Sequence, residues 1–125
     1  METIHSDNAP AALGPYSQAM RVGSLVYTSG QIGIDPAVGK ITATDVAGQA
    51  EQVCKNLAAV LSAAGTDLSH TIKTTCFLAD MGDFAAMNAV YEQQFTGAFP
   101  ARSAFAVKTL PKNGLVEIEV IAVRG

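Results

Sequence analysis

The sequence has no tryptophan, two cysteines and few charged side chains. Charged residues make up 15% of the 125 residues, against about 25% in ordinary soluble domains. Cys54 and Cys76 lie far apart, without a CxxC motif or a Cys/His cluster. This pattern argues against a disulfide scaffold or a zinc site and indicates buried free thiols. Because 49% of the residues are apolar, we expect further copies of the chain to cover part of its surface, with an apolar monomer as the alternative.

Cationic residues are also sparse. Eight Lys and Arg residues stand against 11 Asp and Glu, for a net charge of −3, and they form no basic run. Nucleic-acid binding needs clustered cations, so the composition argues against that partner. The N-terminal METIHSDNAP lacks the basic and apolar regions of a leader, and no apolar run reaches membrane-spanning length. We therefore expect a cytoplasmic protein with no membrane partner.

The first half of the chain predicts a hairpin followed by a helix. Two apolar runs, Tyr16–Val22 and Leu25–Ile32, are separated by Gly-Ser, a combination typical of two strands joined by a tight turn. Asp45 is a plausible N-cap, and Gly65 is suited to end the helix. Between them, apolar residues at steps of three and four form one face, and Gln49 and Asn56 fall largely outside it.

The second half predicts a strand, a helix and two further strands. Thr71–Leu78 alternates and is rich in β-branched residues, which places Ile72, Thr74, Cys76 and Leu78 on one face. Asp83 is a candidate cap for a helix that buries Phe84, Met87, Val90, Tyr91 and Phe95. The last strands are predicted at Arg102–Val107 and Leu115–Val123.

The resulting order is ββαβαββ. Two amphipathic helices cannot cover both faces of such a sheet, so we expect one two-layer α+β domain spanning residues 1–125, with a mixed sheet and both helices on one face. In the last strand, Glu117, Glu119, Ile121 and Val123 alternate with Val116, Ile118, Val120 and Ala122. The mixed polar and apolar face suits burial against a partner subunit, with a wet pocket at one end.

Candidate chemistry concentrates between Phe99 and Ala122. A turn around Pro111–Gly114 is expected to bring Arg102 into a hairpin with the strand that carries Glu117 and Glu119. A guanidinium can bind a small carboxylate through two parallel hydrogen bonds, and a glutamate can activate a water. An internal salt bridge and solvated glutamates are the alternatives, and spacing alone does not separate the two glutamates.

Four further residues are candidates for lining a cleft. A tyrosine hydroxyl, a serine hydroxyl, a backbone N–H group and an asparagine amide can all bind a polar ligand, and the residues in question are Tyr16, Ser29, Gly30 and Asn88. Ordinary structural roles, including a bulge at the glycine, are the alternatives. The sequence has no Ser-His-Asp order, phosphate-binding glycine pattern or metal-ligand spacing, so we expect neither a metal nor a cofactor.

Several segments resemble, in the same order, the RidA/YjgF/YER057c/UK114 family. They are NAPAALGPYSQA, YTSGQIG, KTTCFLADMGDF, NAVYEQQF, FPARS and LPKNGLVEIEVIAVR. The resemblance implies a chorismate-mutase-like fold and a homotrimer with clefts between subunits. It also implies hydrolysis of reactive 2-imino and 2-enamino acids, such as 2-aminoacrylate, 2-iminopropanoate and 2-iminobutyrate, to 2-keto acids and ammonia.

The same resemblance implies individual roles. Arg102 matches the arginine that binds the substrate carboxylate, and Glu117 matches the glutamate that positions the hydrolytic water. The four candidate lining residues match cleft positions. Ala104 replaces a cysteine common in the family, so only its backbone N–H remains for binding. The shorter loop Phe95–Phe99 is expected to alter the cleft rim and the preferred side-chain size.

Two other functions stay open at this point. A non-catalytic trimer that binds small keto acids, or acts as a chaperone or regulator, would keep Arg102 without needing a water-positioning glutamate. An endoribonuclease, an activity also ascribed to relatives, is disfavoured by the scattered cations.

Overall fold

The computed structural model describes residues 1–124 and consists of a mixed sheet with two helices packed on one face. The helices are α1 (Val46–Ala63) and α2 (Phe84–Gln94). The strands are β1 (Glu2–Ile4), β2 (Ala19–Val22), β3 (Leu25–Thr28), β4 (Gln31–Ile32), β5 (Ile34–Asp35), β6 (Lys40–Ile41), β7 (Thr71–Leu78), β8 (Ala101–Ala106) and β9 (Val116–Val123).

Strand β9 lies inside the sheet. The spatial order is β1-β2-β3-β9-β7-β8, and β4 also pairs with β9. Only β7 and β8 are parallel among these pairs, while β5 and β6 form a separate small hairpin. The longer elements confirm the order ββαβαββ and the α+β class with helices on one face. The short strands β1, β5 and β6 were not predicted, because pieces of two or three residues have too little alternation to detect. Strand β4 lies within the predicted run Leu25–Ile32, which the structure divides after Thr28.

The core forms between α1, α2 and the inner face of the sheet. Val116, Ile118, Val120 and Ala122 of β9 are at most 1% exposed, which confirms the alternation read from the sequence. Each fully buried Val or Ile side chain contributes about 1.5–3 kcal/mol. The Asp45 side chain accepts a hydrogen bond from the Gly48 N–H at 2.9 Å and caps α1 as predicted.

The start of α2 differs from expectation. Asp83 makes no side-chain cap hydrogen bond. A short 3-10 turn, Met81–Asp83, precedes the helix, and the Asp80 carboxylate accepts from the Gly82 N–H at 2.7 Å. The predicted cap at Asp83 is therefore wrong, because that residue already lies inside a turn capped three positions earlier.

A second difference lies at the start of β7. Ile72 was expected to share the buried face of Thr74, yet Ile72 is 46% exposed. The pairing of β7 with β9 shifts register between Thr71 and Lys73. Such a bulge reverses the side-chain alternation locally, and it turns Ile72 outward while Thr71 is buried.

Two polar residues of α1 are buried, contrary to the helical pattern. The Asn56 amide donates to the carbonyls of Ile32 and Ile34 at 3.2 and 2.9 Å. The Gln49 carbonyl oxygen accepts from the Leu115 N–H at 2.8 Å. These bonds fix the β4–β5 segment and the entry to β9 against the helix. The apolar stripe alone could not reveal them, because they satisfy backbone groups that the pattern does not show.

Both cysteines are free and buried, as predicted. Burial raises the pKa of the Cys54 thiol to about 12 and that of Cys76 to about 11. Both remain protonated and act as small apolar side chains. Within residues 1–124, no helix is both long and apolar enough to cross a membrane.

Replacing Asn56 with Ala is expected to lower the free energy of unfolding by about 1–3 kcal/mol, because two buried carbonyls lose their donor. Denaturant unfolding measures the change. Lys55→Ala, at the exposed neighbouring position, is the control and should change stability by less than about 0.5 kcal/mol. Equal effects of the two substitutions would contradict the anchoring role of Asn56.

Candidate functional site

An open groove of about 630 Å³ lies on the sheet face that the helices leave uncovered, beside β4 and β9. Its walls include Tyr16, Ser29, Gly30, Glu117 and Glu119. We call this the glutamate groove. Four of the predicted site residues therefore come together here, although they are far apart in the sequence.

The backbone between β3 and β4 approaches Glu117 closely. A Cβ atom on Gly30 would overlap Glu117 Oε2 and lie 2.8 Å from its Cδ. Glu117 is paired in register with Ile32 of β4, and its carboxylate lies over the chain two residues earlier, at Gly30. Glycine is required by this approach, which explains the residue at the predicted break in the strand.

The N-terminal arm forms one wall of the glutamate groove. The Gln18 side chain accepts from the Ser6 N–H at 2.6 Å and donates to the Pro10 carbonyl at 2.8 Å. The Ser29 hydroxyl donates to the Ser17 carbonyl at 2.6 Å. The strand predicted to start at Tyr16 begins three residues later, as β2. Tyr16 therefore lies in the preceding loop, where it is 53% exposed. This exposure leaves the phenol free to contact a ligand.

Glu117 has an unusual electrostatic environment. Partial burial raises the pKa of its carboxyl above the ordinary value, and the nearby Glu119 carboxylate raises it further. A carboxylate that is harder to ionise is also a better proton acceptor once ionised. Glu117 is therefore suited to accept a hydrogen bond or a proton from a water in the groove.

Arg102 lies in a second pocket, of about 470 Å³, which we call the arginine pocket. Its lining includes Asn88, Tyr91, Phe99 and Arg102. Arg102 Nη1 donates to Asn88 Oδ1 at 2.6 Å. Among residues 1–124 the carboxylates that contact a basic side chain are Asp7 beside His5, Glu2 beside Arg21 and Asp67 beside His70. The alternative of an internal salt bridge to Glu117 or Glu119 is therefore not realised.

The two pockets lie on opposite faces of the sheet. Arg102 pairs with the fully buried Thr74 and contacts α2, so it lies on the helix side. Glu117 alternates with buried residues of β9 and faces away from the helices. The expected hairpin is wrong as well, because β7 lies between β8 and β9. One copy of the chain thus presents the two groups separately.

Ala104 lies on the same side of β8 as Arg102 and packs partly against the core. Strand β8 is at the edge of the sheet, and the Val107 N–H donates to the Leu78 carbonyl at 2.9 Å. Because backbone groups alternate along a strand, the N–H groups of Arg102 and Ala104 point to the free edge. The methyl side chain adds no polar group, but the N–H remains available.

The sequence pattern missed several contributors. Tyr91 was assigned only to the buried stripe of α2, yet its ring lies under the Arg102 guanidinium. Gln18 was not singled out, although it holds the arm against the groove. Asn88 and Tyr91 are three residues apart in α2, a spacing that places them on the same face of the helix and could have indicated a shared role. No group of three His, Cys, Asp or Glu side chains in the described part of the chain is arranged to hold a metal.

Comparison with known proteins identifies the family. The sequence profile described as Endoribonuclease L-PSP matches residues 6–124. The chain belongs to the RidA/YjgF family. The RutC family protein y4sK of Sinorhizobium fredii is 52% identical over 97% of this chain and 96% of its own length. The crystal structure of the YjgF gene product of E. coli is 45% identical and superposes with a TM-score of 0.95 over all of both chains.

A further relative carries a functional name. The 2-iminobutanoate/2-iminopropanoate deaminase of Mus musculus is 48% identical, over 99% of this chain and 92% of its own length. Relatives at about half identity thus include named imine deaminases as well as RutC family proteins named without an activity. These matches confirm the family resemblance that the sequence motifs indicate.

Replacing Glu119 with Gln is expected to lower the pKa of Glu117, because one of the two causes of its elevation is a negative charge. Burial remains, so the pKa should stay above the ordinary value. NMR titration of the Glu117 carboxyl carbon measures this pKa in the wild type and in Glu119→Gln. Glu51→Gln, on the exposed side of α1, is the control and should leave the titration unchanged. An unaltered Glu117 titration in Glu119→Gln would refute the coupling.

Proposed function

We propose that the protein is a hydrolytic deaminase of reactive 2-imino and 2-enamino acids, including 2-aminoacrylate, 2-iminopropanoate and 2-iminobutyrate. The products are the 2-keto acid and ammonia. The observation that carries the proposal is the presence of two suitable groups: Arg102, which has no acidic partner among residues 1–124, and the partly buried Glu117. The names of relatives at about half identity support the same reaction class.

Arg102 supplies the anchor for the substrate carboxylate. A guanidinium has five N–H donors in a planar fork, and Asn88 occupies one of them. The remaining donors can bind a carboxylate through two parallel bonds. The outward N–H of Ala104 lies two residues along the same edge and offers a further donor. The 2-imino carbon next to the bound carboxylate is thereby held in one orientation.

Glu117 positions and activates the water. Its carboxylate accepts a hydrogen bond from a water in the glutamate groove and takes a proton as the oxygen adds to the imine carbon. That proton passes to the imine nitrogen, which completes the carbinolamine. The carbinolamine hydroxyl then gives its proton to Glu117, which delivers it to the nitrogen, and the C–N bond breaks to release ammonia as the carbonyl forms. In sum, one imine and one water give one 2-keto acid and one ammonia, with no redox change. An enamine enters the same route after tautomerisation.

The proposed site is composite. Because Arg102 and Glu117 lie on opposite sheet faces, the two groups meet only if one copy presents its arginine pocket to the glutamate groove of another. We propose a homotrimer with three such clefts. The uncovered sheet face supports association, since it exposes Tyr27 and Phe105 at 44% and 45%. Exposed aromatic side chains are enriched at interfaces.

The description of the family profile makes endoribonuclease a second candidate. Eight cations against 11 acids, and two acids in the glutamate groove, oppose binding of a polyanion. A keto-acid-binding chaperone or regulator needs Arg102 but not Glu117. RNA affinity that does not change with salt would count against the nuclease, and ligand binding without turnover would favour the binding protein.

In a coupled assay, a dehydratase generates 2-iminobutyrate in place and keto-acid formation is followed. The wild-type protein should accelerate it. Arg102→Ala should remove the acceleration and weaken keto-acid binding about 10- to 100-fold, because the charged hydrogen bonds of the anchor are lost. Glu117→Gln should lower turnover by about 10²–10⁴-fold and spare binding.

Two matched variants control this experiment. Arg21→Ala breaks the ion pair with Glu2, and Glu51→Gln changes an exposed helix position. Both should keep wild-type turnover. A folded wild-type protein that gives no acceleration would contradict the deaminase, and unchanged turnover in Glu117→Gln would remove the role given to that glutamate.

A further inference from the structure

The guanidinium of Arg102 is held by three side chains of α2. Its Cζ lies 4.7 Å from the centre of the Tyr91 ring and 5.3 Å from that of Phe84. Its Nη1 donates to Asn88 Oδ1 at 2.6 Å. An arginine side chain is long and has many rotamers in solution. Here two aromatic faces and one amide restrict it to one position.

Tyr91 is itself fixed from two directions. Its ring stacks on Phe95, with centroids 4.4 Å apart and planes 26° apart. Its hydroxyl is hydrogen bonded to Thr74 Oγ1 at 2.7 Å, in a buried position. A buried tyrosine with a satisfied hydroxyl has a defined tilt as well as a defined place.

Thr74 contacts both other members of the group, Tyr91 and Arg102. It is fully buried on β7 and is the register partner of Arg102 on the parallel strand β8. The backbone of Arg102 therefore lies beside the residue whose hydroxyl fixes the ring under the guanidinium. The strand pairing, the buried hydrogen bond and the cation–π contact join Arg102, Thr74 and Tyr91 in one connected unit.

This unit leaves part of the guanidinium free. Among residues 1–124, Asn88 is the side-chain hydrogen-bond partner of the guanidinium, through Nη1. The donors on Nε and Nη2 form the fork that binds a carboxylate through two bonds. A fork that is already oriented loses less conformational freedom when the ligand binds.

We propose that Tyr91, fixed by its hydrogen bond to Thr74, is a positioning residue that presents the Arg102 fork to the substrate carboxylate. The inference rests on the carboxylate-binding role of Arg102 given above. It assigns Tyr91 a task in ligand binding that its burial in the α2 stripe does not require.

The test measures 2-ketobutyrate affinity by calorimetry and turnover in the coupled assay. Tyr91→Leu removes the ring face and should weaken 2-ketobutyrate binding about tenfold. It should raise KM by a similar factor with little change in kcat, since the carboxylate is bound alike before and in the transition state. Tyr91→Phe and Thr74→Val keep the ring and lose only the hydrogen bond, and should each weaken binding about two- to threefold.

A double-mutant cycle separates positioning from stability. In an Arg102→Ala background, Tyr91→Leu should cause no further loss of 2-ketobutyrate affinity, because its effect passes through the arginine. Leu57→Ala, which opens a cavity at a fully buried position of α1, should lower the melting temperature and leave affinity unchanged. NMR of the Arg102 Nε–H should show faster motion in Tyr91→Phe than in the wild type, a readout independent of ligand and of activity.

The outcomes distinguish the two proposals. If the wild type neither binds 2-ketobutyrate nor accelerates its formation, the deaminase proposal fails and this inference fails with it. If the wild type does both, and the Tyr91 variants bind like wild type or lose affinity equally without Arg102, only the positioning role is overturned. Should Tyr91→Leu not fold, Tyr91→Phe and Thr74→Val decide the same question.

Discussion

The alternation of side chains along β9 is the constraint on which the rest of the structure depends. Every second residue of this internal strand enters the core, and the residues between them face away from the helices. Core packing therefore fixes the position of Glu117. A register slip of one residue would move the carboxylate into the core and expose the apolar set. Stability and the proposed chemistry thus require the same register.

Side-chain alternation also fixes Arg102 on the edge strand β8, but on the face that the helices cover. Its pairing with β7 places Arg102 beside Thr74, on the side covered by α2. The sheet therefore separates the arginine, on the helix side, from the glutamate, on the uncovered side. A ligand that needs both groups requires a second copy of the chain. Oligomerisation and the proposed catalysis thus share one geometric requirement.

Elements with strong local signals were predictable from the sequence. The cap at Asp45 and the strand Thr71–Leu78 agree with the structure, because a capping side chain and β-branched alternation act over short distances. The close approach of Gly30 to Glu117 could not be predicted, since the sequence indicated only a bulge at this glycine. It is set by the pairing of β4 with β9, strands that lie more than 80 residues apart in the sequence.

The errors that affect the site concern long-range arrangement, whereas the wrong cap at Asp83 is a local one. Arg102 and Glu117 were expected in one hairpin because a turn separates their strands, yet β7 inserts between them. Asn56 was expected off the buried face, because side chain to backbone bonds leave no apolar pattern. The family resemblance, rather than spacing, distinguished Glu117 from Glu119. The structure adds a physical difference, namely the close approach of Gly30 and the raised pKa of Glu117.

The composite site is tested most directly by mixing two inactive variants. Arg102→Ala and Glu117→Gln are produced together so that their subunits assemble at random. If Arg102 of one copy acts with Glu117 of another, about one quarter of the clefts will carry both intact groups, and about that fraction of wild-type turnover should return. Verified mixed oligomers that stay as inactive as either variant alone would contradict the account.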